Sequence, residues 1–208
     1  MTAGGIRDRF RAQMRQEVKD AALRQLAEGG AGALSINAIA KELGVSGPAL
    51  YRYFAGRDAL LTELILDAYA DLTKAIATAD RLAALTTAYR AWAIANPHRY
   101  RLLFGAPLPG YDPHDGDLTD ASQRVLDVLF TCVEPGPEPT PPLAGELKAW
   151  ARAHGATTVS PAVARRAIGV WSRLHGFVSL EIEGNFRALG LTPDHFFAAE
   201  VDDLRSAR

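Results

Sequence analysis

Apolar residues recur along most of this chain at intervals of three and four, and nowhere in a convincing alternation of two. The pattern predicts helices throughout. A first helix runs from about Arg9 to Glu28, with Met14, Val18, Ala22 and Leu26 on one stripe, and the glycine-rich stretch 29–32 ends it. Ser35 then caps a short helix in which Ile36, Ile39, Ala40 and Leu43 fall at i, i+3, i+4 and i+7. Gly44 stands where a left-handed residue closes a helix. Ser46 opens a second short helix with Pro48 in its first turn, where a missing N–H costs little. Leu50 and Phe54 form its inward stripe, while Pro48, Tyr51, Arg52 and Ala55 share a roughly opposite face. Gly56 breaks the chain again. A fourth helix follows from Arg57 or Asp58 to about Ala79, with Leu61, Leu64, Ile65, Ala68 and Leu72 inside. It is long enough to leave a small N-terminal bundle and reach the rest of the chain.

Beyond it the pattern predicts a helix from about Arg81 to Asn96, stopped at Pro97, and a short amphipathic one over 98–104. The stretch 105–117 is turn-rich and reads as a surface loop. A helix over about Thr119–Val133 precedes a proline-rich connector at 134–142, and another helix covers 143–155. Two helices end the chain. One, from about Ser160 to Gly184, carries Val163, Ala167, Val170, Leu174, Phe177 and Val178 on one stripe, widened by Ile168, Trp171, His175 and Ile182. The other, about Thr192–Arg205, adds Phe196, Phe197, Val201 and Leu204. That is more apolar circumference than one core contact needs. It suits a helix-pair interface between two copies of the chain, with Val170, Leu174, Phe177, Phe197, Val201 and Leu204 as candidates. The alternative is that both helices complete the chain's own core.

The fold class read from this pattern is all-α, with a helix-turn-helix bundle at 1–60 and a larger helical domain at 61–208. Charge sharpens the division. The whole chain of 208 residues carries a net −1. Residues 1–60 hold nine Lys/Arg against six Asp/Glu, a net of +3, and the remainder holds fourteen against eighteen, a net of −4. A basic N-terminal part on an acidic body is the asymmetry expected when one end touches nucleic acid. Arg7, Arg9 and Arg11 read equally well as an arm on the DNA backbone or as a solvated tail. Cys132 is the one cysteine, so no intrachain disulfide forms and a reducing cytoplasm fits; in its apolar run it reads as a buried thiol. No apolar run approaches a membrane span, and the N-terminus lacks the apolar segment of a signal peptide.

The segment 34–54, LSINAIAKELGVSGPALYRYF, fits A-x-x-L-G-V-S-x-x-[AT]-L-Y-x-[YH]-F from Ala40 onward, followed by a basic residue and an A-L-L run ending at Leu61. It resembles the DNA-binding domain of the TetR family of bacterial transcriptional regulators. Gly47, Pro48 and Ala49 are too short to reach far into base edges, so direct readout falls to Ser46, Tyr51 and Arg52. Of these, Arg52 is the group able to make a bidentate contact to guanine. The resemblance implies that Tyr53, Arg57, Ser35 and the backbone opening the second helix hold phosphates. Tyr51 has two readings, a contact to phosphate or thymine methyl, and a packing residue. The resemblance also implies a homodimer, made by packing the last two long helices, on a pseudopalindromic double-stranded operator, with a small-molecule effector in the C-terminal domain and release of a repressor as the control.

For that effector the sequence offers Trp92, Tyr100, Phe104, Phe130, Trp150, Trp171 and His175 as candidates. The W-x-x-x-H-G run at 171–176 resembles the C-terminal helix of one TetR subgroup. His175 there reads either as a polar group in an apolar pocket wall or as a core histidine satisfied by a carbonyl. Phosphate-loop, dinucleotide and zinc-protease motifs are absent, and the five histidines form no spaced pair, so no catalytic residue, metal site or cofactor is expected. Two other readings stand beside a ligand-released repressor. One is a DNA-binding dimer whose C-terminal domain meets a protein, and the other is a helical enzyme that carries this hairpin.

Overall fold

The computed structural model describes residues 3–105, 111–112 and 116–206. Its first helices are α1 (Ala3–Gly29), α2 (Ile36–Glu42), α3 (Gly47–Leu50), α4 (Arg57–Ile76), α5 (Leu82–Ala95) and α6 (Pro97–Phe104). The rest are α7 (Gly116–Cys132), α8 (Pro141–Ala153), α9 (Pro161–Ile182), α10 (Asn185–Ala188) and α11 (Pro193–Ser206), and no strand occurs among the described residues. The all-α fold class expected from the sequence is the one observed.

The chain divides into two compact units, Met1–Ala68 with His98–Leu118, and Tyr69–Pro97 with Thr119–Arg208. The division falls inside α4, so this one helix belongs to both. In the first unit Val18, Ala22 and Leu26 of α1 join Ile36, Ile39 and Ala40 of α2, Leu50 of α3, Phe54, and Leu61 and Leu64 of α4 in one buried set. Two ion-paired clasps fix α1 on its neighbours. Arg15 bonds Glu63 of α4 and the Tyr53 carbonyl, and its guanidinium lies 4.4 Å over the Phe54 ring. Lys19 reaches Asp67 at 2.8 Å and Glu63 at 3.2 Å.

The second unit packs α5, α8, α10 and α11 against α9. Phe177 of α9 stands at the centre of an aromatic cluster, with ring centroids 4.6 Å from Phe186, 5.5 Å from Phe196 and 5.3 Å from Phe197. Arg90 of α5 closes this cluster. It forks onto Glu181 at 2.7 and 2.5 Å, reaches Asp194 at 2.6 Å and lies 4.6 Å over Phe197. The Glu181 bond above all raises the already high Arg90 pKa, so this guanidinium stays charged and ties three helices.

Four expectations change. α1 begins at Ala3, so Arg7, Arg9 and Arg11 are helical and not an extended arm. Pro141 and Pro142 open α8 where a connector was expected, because proline suits a first helical turn. Gly116 and Asp117 belong to α7, whereas most of the loop expected over 105–117 lies outside the described residues. The short α10 escaped the pattern entirely. Gly184, at φ 78°, turns the chain there before Phe186 enters the core.

Candidate nucleic-acid interface and effector region

The turn between α2 and α3 is closed by two backbone hydrogen bonds around Gly44. The Val45 N–H donates to the Ala40 carbonyl at 3.0 Å and the Gly44 N–H to the Lys41 carbonyl at 3.3 Å. Gly44 sits at φ 67°, the left-handed conformation this motif requires and side chains resist. At the start of α2, the Ser35 hydroxyl accepts the Ala38 N–H at 3.3 Å while its own N–H donates to Gln25 Oε1 at 2.9 Å. A serine cap of this kind is worth about 1 kcal/mol. Ser46 holds the equivalent place before α3, yet its exposed hydroxyl makes no capping bond. Gly47 passes close to α2, since a Cβ there would meet Asn37 Oδ1 at 3.2 Å.

α3 is shorter than the helix expected over 46–54. After Leu50 the chain tightens into turns, with the Arg52 N–H on the Ala49 carbonyl at 3.3 Å and the Tyr53 N–H on the Leu50 carbonyl at 2.8 Å. The Phe54 N–H returns to the Leu50 carbonyl at 3.1 Å, and helical direction is kept throughout. Leu50 and Phe54 are 1% and 3% exposed, and they anchor the segment from inside. Ser46, Pro48, Tyr51 and Arg52 are exposed, whereas Gly47 and Tyr53 are half-buried. Tyr53 is held from behind by Arg15, which grips its carbonyl. Arg57 is half-buried too, with its Nε donating to the Leu34 carbonyl at 3.2 Å, so the arginine ties the entry of α2 to the start of α4.

The expected effector residues fall into separate groups. Tyr100 and Phe104, with centroids 5.1 Å apart, lie in the first unit. The others lie in the second. There Phe130 meets Trp150 edge-on at 5.9 Å, Trp150 lies 5.3 Å from His154, and Trp171 stacks on His175 at 5.6 Å. Trp92 is buried, its indole N–H donating to Asp71 at 3.1 Å. A cleft of about 630 Å³ in this unit is lined by Asp80, Arg81, Cys132, Glu134, Arg166 and Arg205 among others, and by none of the expected aromatics. Among the described residues no cluster of His, Cys, Asp or Glu has metal-binding geometry.

Residues 19–64 match the family profile for bacterial regulatory proteins of the tetR family, and residues 82–160 and 158–204 match that for the tetracyclin repressor-like C-terminal domain. The HTH-type transcriptional regulator Rv1816 of Mycobacterium tuberculosis is 32% identical over 218 residues, covering 95% of this chain and 93% of that protein. The chain belongs to the TetR family. It is therefore a DNA-binding transcriptional regulator. Among solved structures, protein SCO4313 is 41% identical at a TM-score of 0.81, covering 95% of this chain and 97% of its own. FadR of Bacillus subtilis, solved with stearoyl-CoA, shares the fold at a TM-score of 0.60 and 15% identity, over 93% of this chain and 98% of its own.

In this TetR protein the residues expected at a dimer interface lie mostly inside their own chain. Val170, Leu174, Phe177, Phe197 and Leu204 are 1–6% exposed, and only Val201 is half-buried. α9 is already packed by α5, α8, α10 and α11 of its own chain. The outer face of α9 carries Arg165, Gly169, Ser172, Gly176 and Leu180 instead, and a Cβ at either glycine would meet nothing within 4 Å. Arg15, Lys19, Arg90 and Asn37 were not anticipated at all, because their partners lie far off in sequence or on another helix.

Burial pushes the His175 imidazole below its ordinary value. Folding therefore excludes a proton that the unfolded chain accepts, and stability is lost as pH falls below about 6.5, the unfolded value. The unfolding midpoint should drop between about pH 7 and pH 5.5. His175→Gln should make that drop smaller in a thermal-melt series. An unchanged pH dependence would show that His175 is charged as readily in the folded state as outside it.

Proposed function

We propose that the protein is a homodimeric repressor that grips a pseudopalindromic DNA operator through the α2–α3 segment and leaves it when a small molecule binds the second unit. The observation that carries this reading is the two-sided character of residues 46–54. Leu50 and Phe54 are locked inside while Ser46, Tyr51 and Arg52 stand exposed on a segment with short Gly47, Pro48 and Ala49 at its tip. Such a tip lets the backbone come close to a major groove, with Arg52 reading guanine and Ser46 and Tyr51 beside it. Ser35, Tyr53 and Arg57 take phosphates, each already held by a bond to its own fold. Two inverted half-sites follow from a two-fold dimer.

Control runs through α4 in this reading, because the helix belongs to both units. A ligand beside Trp171 and His175 or Phe130 and Trp150 that shifts its second half would reposition Arg57 at its first. Recognition helices must match successive major grooves about 34–36 Å apart, so a shift of a few ångströms releases both. Bound fragments selected from a genomic library would name the operator. A ligand found by thermal-shift screening is then titrated with and without it. Operator should weaken ligand binding by the factor with which ligand weakens operator, typically a coupling of about 1–3 kcal/mol.

Exposed apolar residues favour a second reading. Leu189 is 71% exposed, Leu191 47% and Phe196 45%, all around α10 and α11. A protein partner on this surface would replace the small molecule as effector. Equal ligand affinity in the two titrations would move the proposal to this second form.

A further inference from the structure

We propose that the first turns of α1 form a second DNA-contacting surface, in which Arg7 and Arg11 bind backbone phosphates beside the groove that Arg52 reads. This rests on the DNA-binding role of residues 46–54 proposed above. The observation is a shared, open groove of about 430 Å³ whose lining residues are Ile6, Arg7, Phe10, Arg11, Arg52 and Tyr53. Arg7 and Arg11 are one helical turn apart, so their side chains leave the same face of α1. Ile6 and Phe10 are paired in the same way along the adjacent face. They remain 55% and 60% exposed, so they are not core.

Three arginines line this groove with no acidic residue in its lining, so the patch carries an uncompensated positive charge. A net positive patch of this kind attracts a polyanion. Arg9 does not join the three, because its Nε turns back to the Gly5 carbonyl at 3.0 Å. The groove is also fixed in place. Arg15, one turn further along α1 from Arg11, grips the Tyr53 carbonyl and Glu63 and lies over Phe54. The register of Arg7 and Arg11 relative to Arg52 is thus set by a bonded clasp, and the contact is made by a held helix. Duplex DNA is the polyanion that suits this arrangement, since one surface of the groove is Arg52 itself. The exposed Ile6 and Phe10 would lie against the sugars between phosphates.

Phosphate contacts position a protein and carry no sequence information, so their loss has a distinct signature. The Arg7→Ala/Arg11→Ala double variant and the wild type are titrated with a labelled random-sequence duplex over a salt series. Loss of two contacts should make the slope of log affinity against log salt shallower by about two units for each protomer engaged. The Arg7→Lys/Arg11→Lys variant should restore most of that slope. Base preference, selected from a random pool, should be the same for all three, whereas Arg52→Ala should change it. An unchanged slope and affinity in the alanine variant, with Arg52→Ala still defective, overturns this inference and leaves the role of residues 46–54 intact. Absence of any duplex binding by the wild type overturns both. A duplex affinity that is unchanged while an acidic peptide binds the wild type and not the alanine variant overturns it in favour of a protein ligand.

Discussion

Arg52→Ala is expected to lower operator affinity by about 1–3 kcal/mol at each half-site and to relax base preference at one position of that half-site. A dimer loses the contact twice. The summed effect of about 2–6 kcal/mol is a fall of roughly thirtyfold to twenty-thousandfold in affinity. The reason lies in what surrounds the side chain. Gly47, Pro48 and Ala49 offer no hydrogen-bonding side chain, and the exposed Ser46 and Tyr51 each carry a single hydroxyl. Nothing nearby can take over a bidentate contact to guanine. Arg52 is exposed and makes no contribution to the core, so the variant should fold and melt like the wild type. Arg57→Ala provides the contrast, because it should weaken all sequences alike. A gel-shift titration against operator and single-base variants checks both. If Arg52→Ala kept its affinity and its preference, the base-reading residue would have to be sought at Ser46 or Tyr51.

The helix-turn-helix was legible because the turn, the cap and the anchors that define it are short in sequence. Gly44 closes α2 within six residues, Ser35 caps its start within three, and Leu50 and Phe54 are one turn apart. The same is true of the longer helices, whose bodies follow from spacing alone. What spacing cannot say is which neighbour covers a stripe. Val170, Leu174 and Phe177 mark an apolar face on α9 with equal clarity whether a second copy or the chain's own α10 and α11 lies against it. The structure shows the chain itself there. Nor does spacing show contacts that join residues far apart. Arg15 lies 38 residues before the carbonyl it grips, and Arg90 lies 91 before Glu181. The start of α1 was missed for a third reason. Its first turns have little apolar periodicity, and their helicity continues a helix whose packing is established further along. The aromatic residues were candidates for one effector site, and their division into Tyr100–Phe104, Phe130–Trp150 and Trp171–His175 follows from the tertiary fold.

Phe177→Ala is expected to destabilise the second unit by about 3–5 kcal/mol, as truncation of a buried phenylalanine does elsewhere. Phe177→Glu should cost more, since a carboxylate would enter a site 6% exposed and walled by three aromatic rings. Against a total stability of about 5–15 kcal/mol, the glutamate variant should leave much of this unit unfolded. Operator binding would then fail, but for a reason that says nothing about assembly. Gly169→Glu separates the two. Gly169 lies on the outer face of α9, and a Cβ there meets nothing within 4 Å, so a side chain fits without strain in the single chain. Glutamate favours a helix over glycine by up to about 1 kcal/mol, and it would stand one turn before Arg173 and one after Arg165. The single chain should therefore fold at least as well as the wild-type chain, apart from any stability the dimer itself adds. If α9 packs on its copy through Gly169, Ser172 and Gly176, the new side chain prevents close approach of the two helices. A folded monomer should then appear in sedimentation at micromolar protein, with operator affinity sharply reduced because each half-site is bound alone. A dimer that survives Gly169→Glu with full affinity would place the two-fold interface on another surface, with the exposed Leu189, Leu191 and Phe196 the next to test.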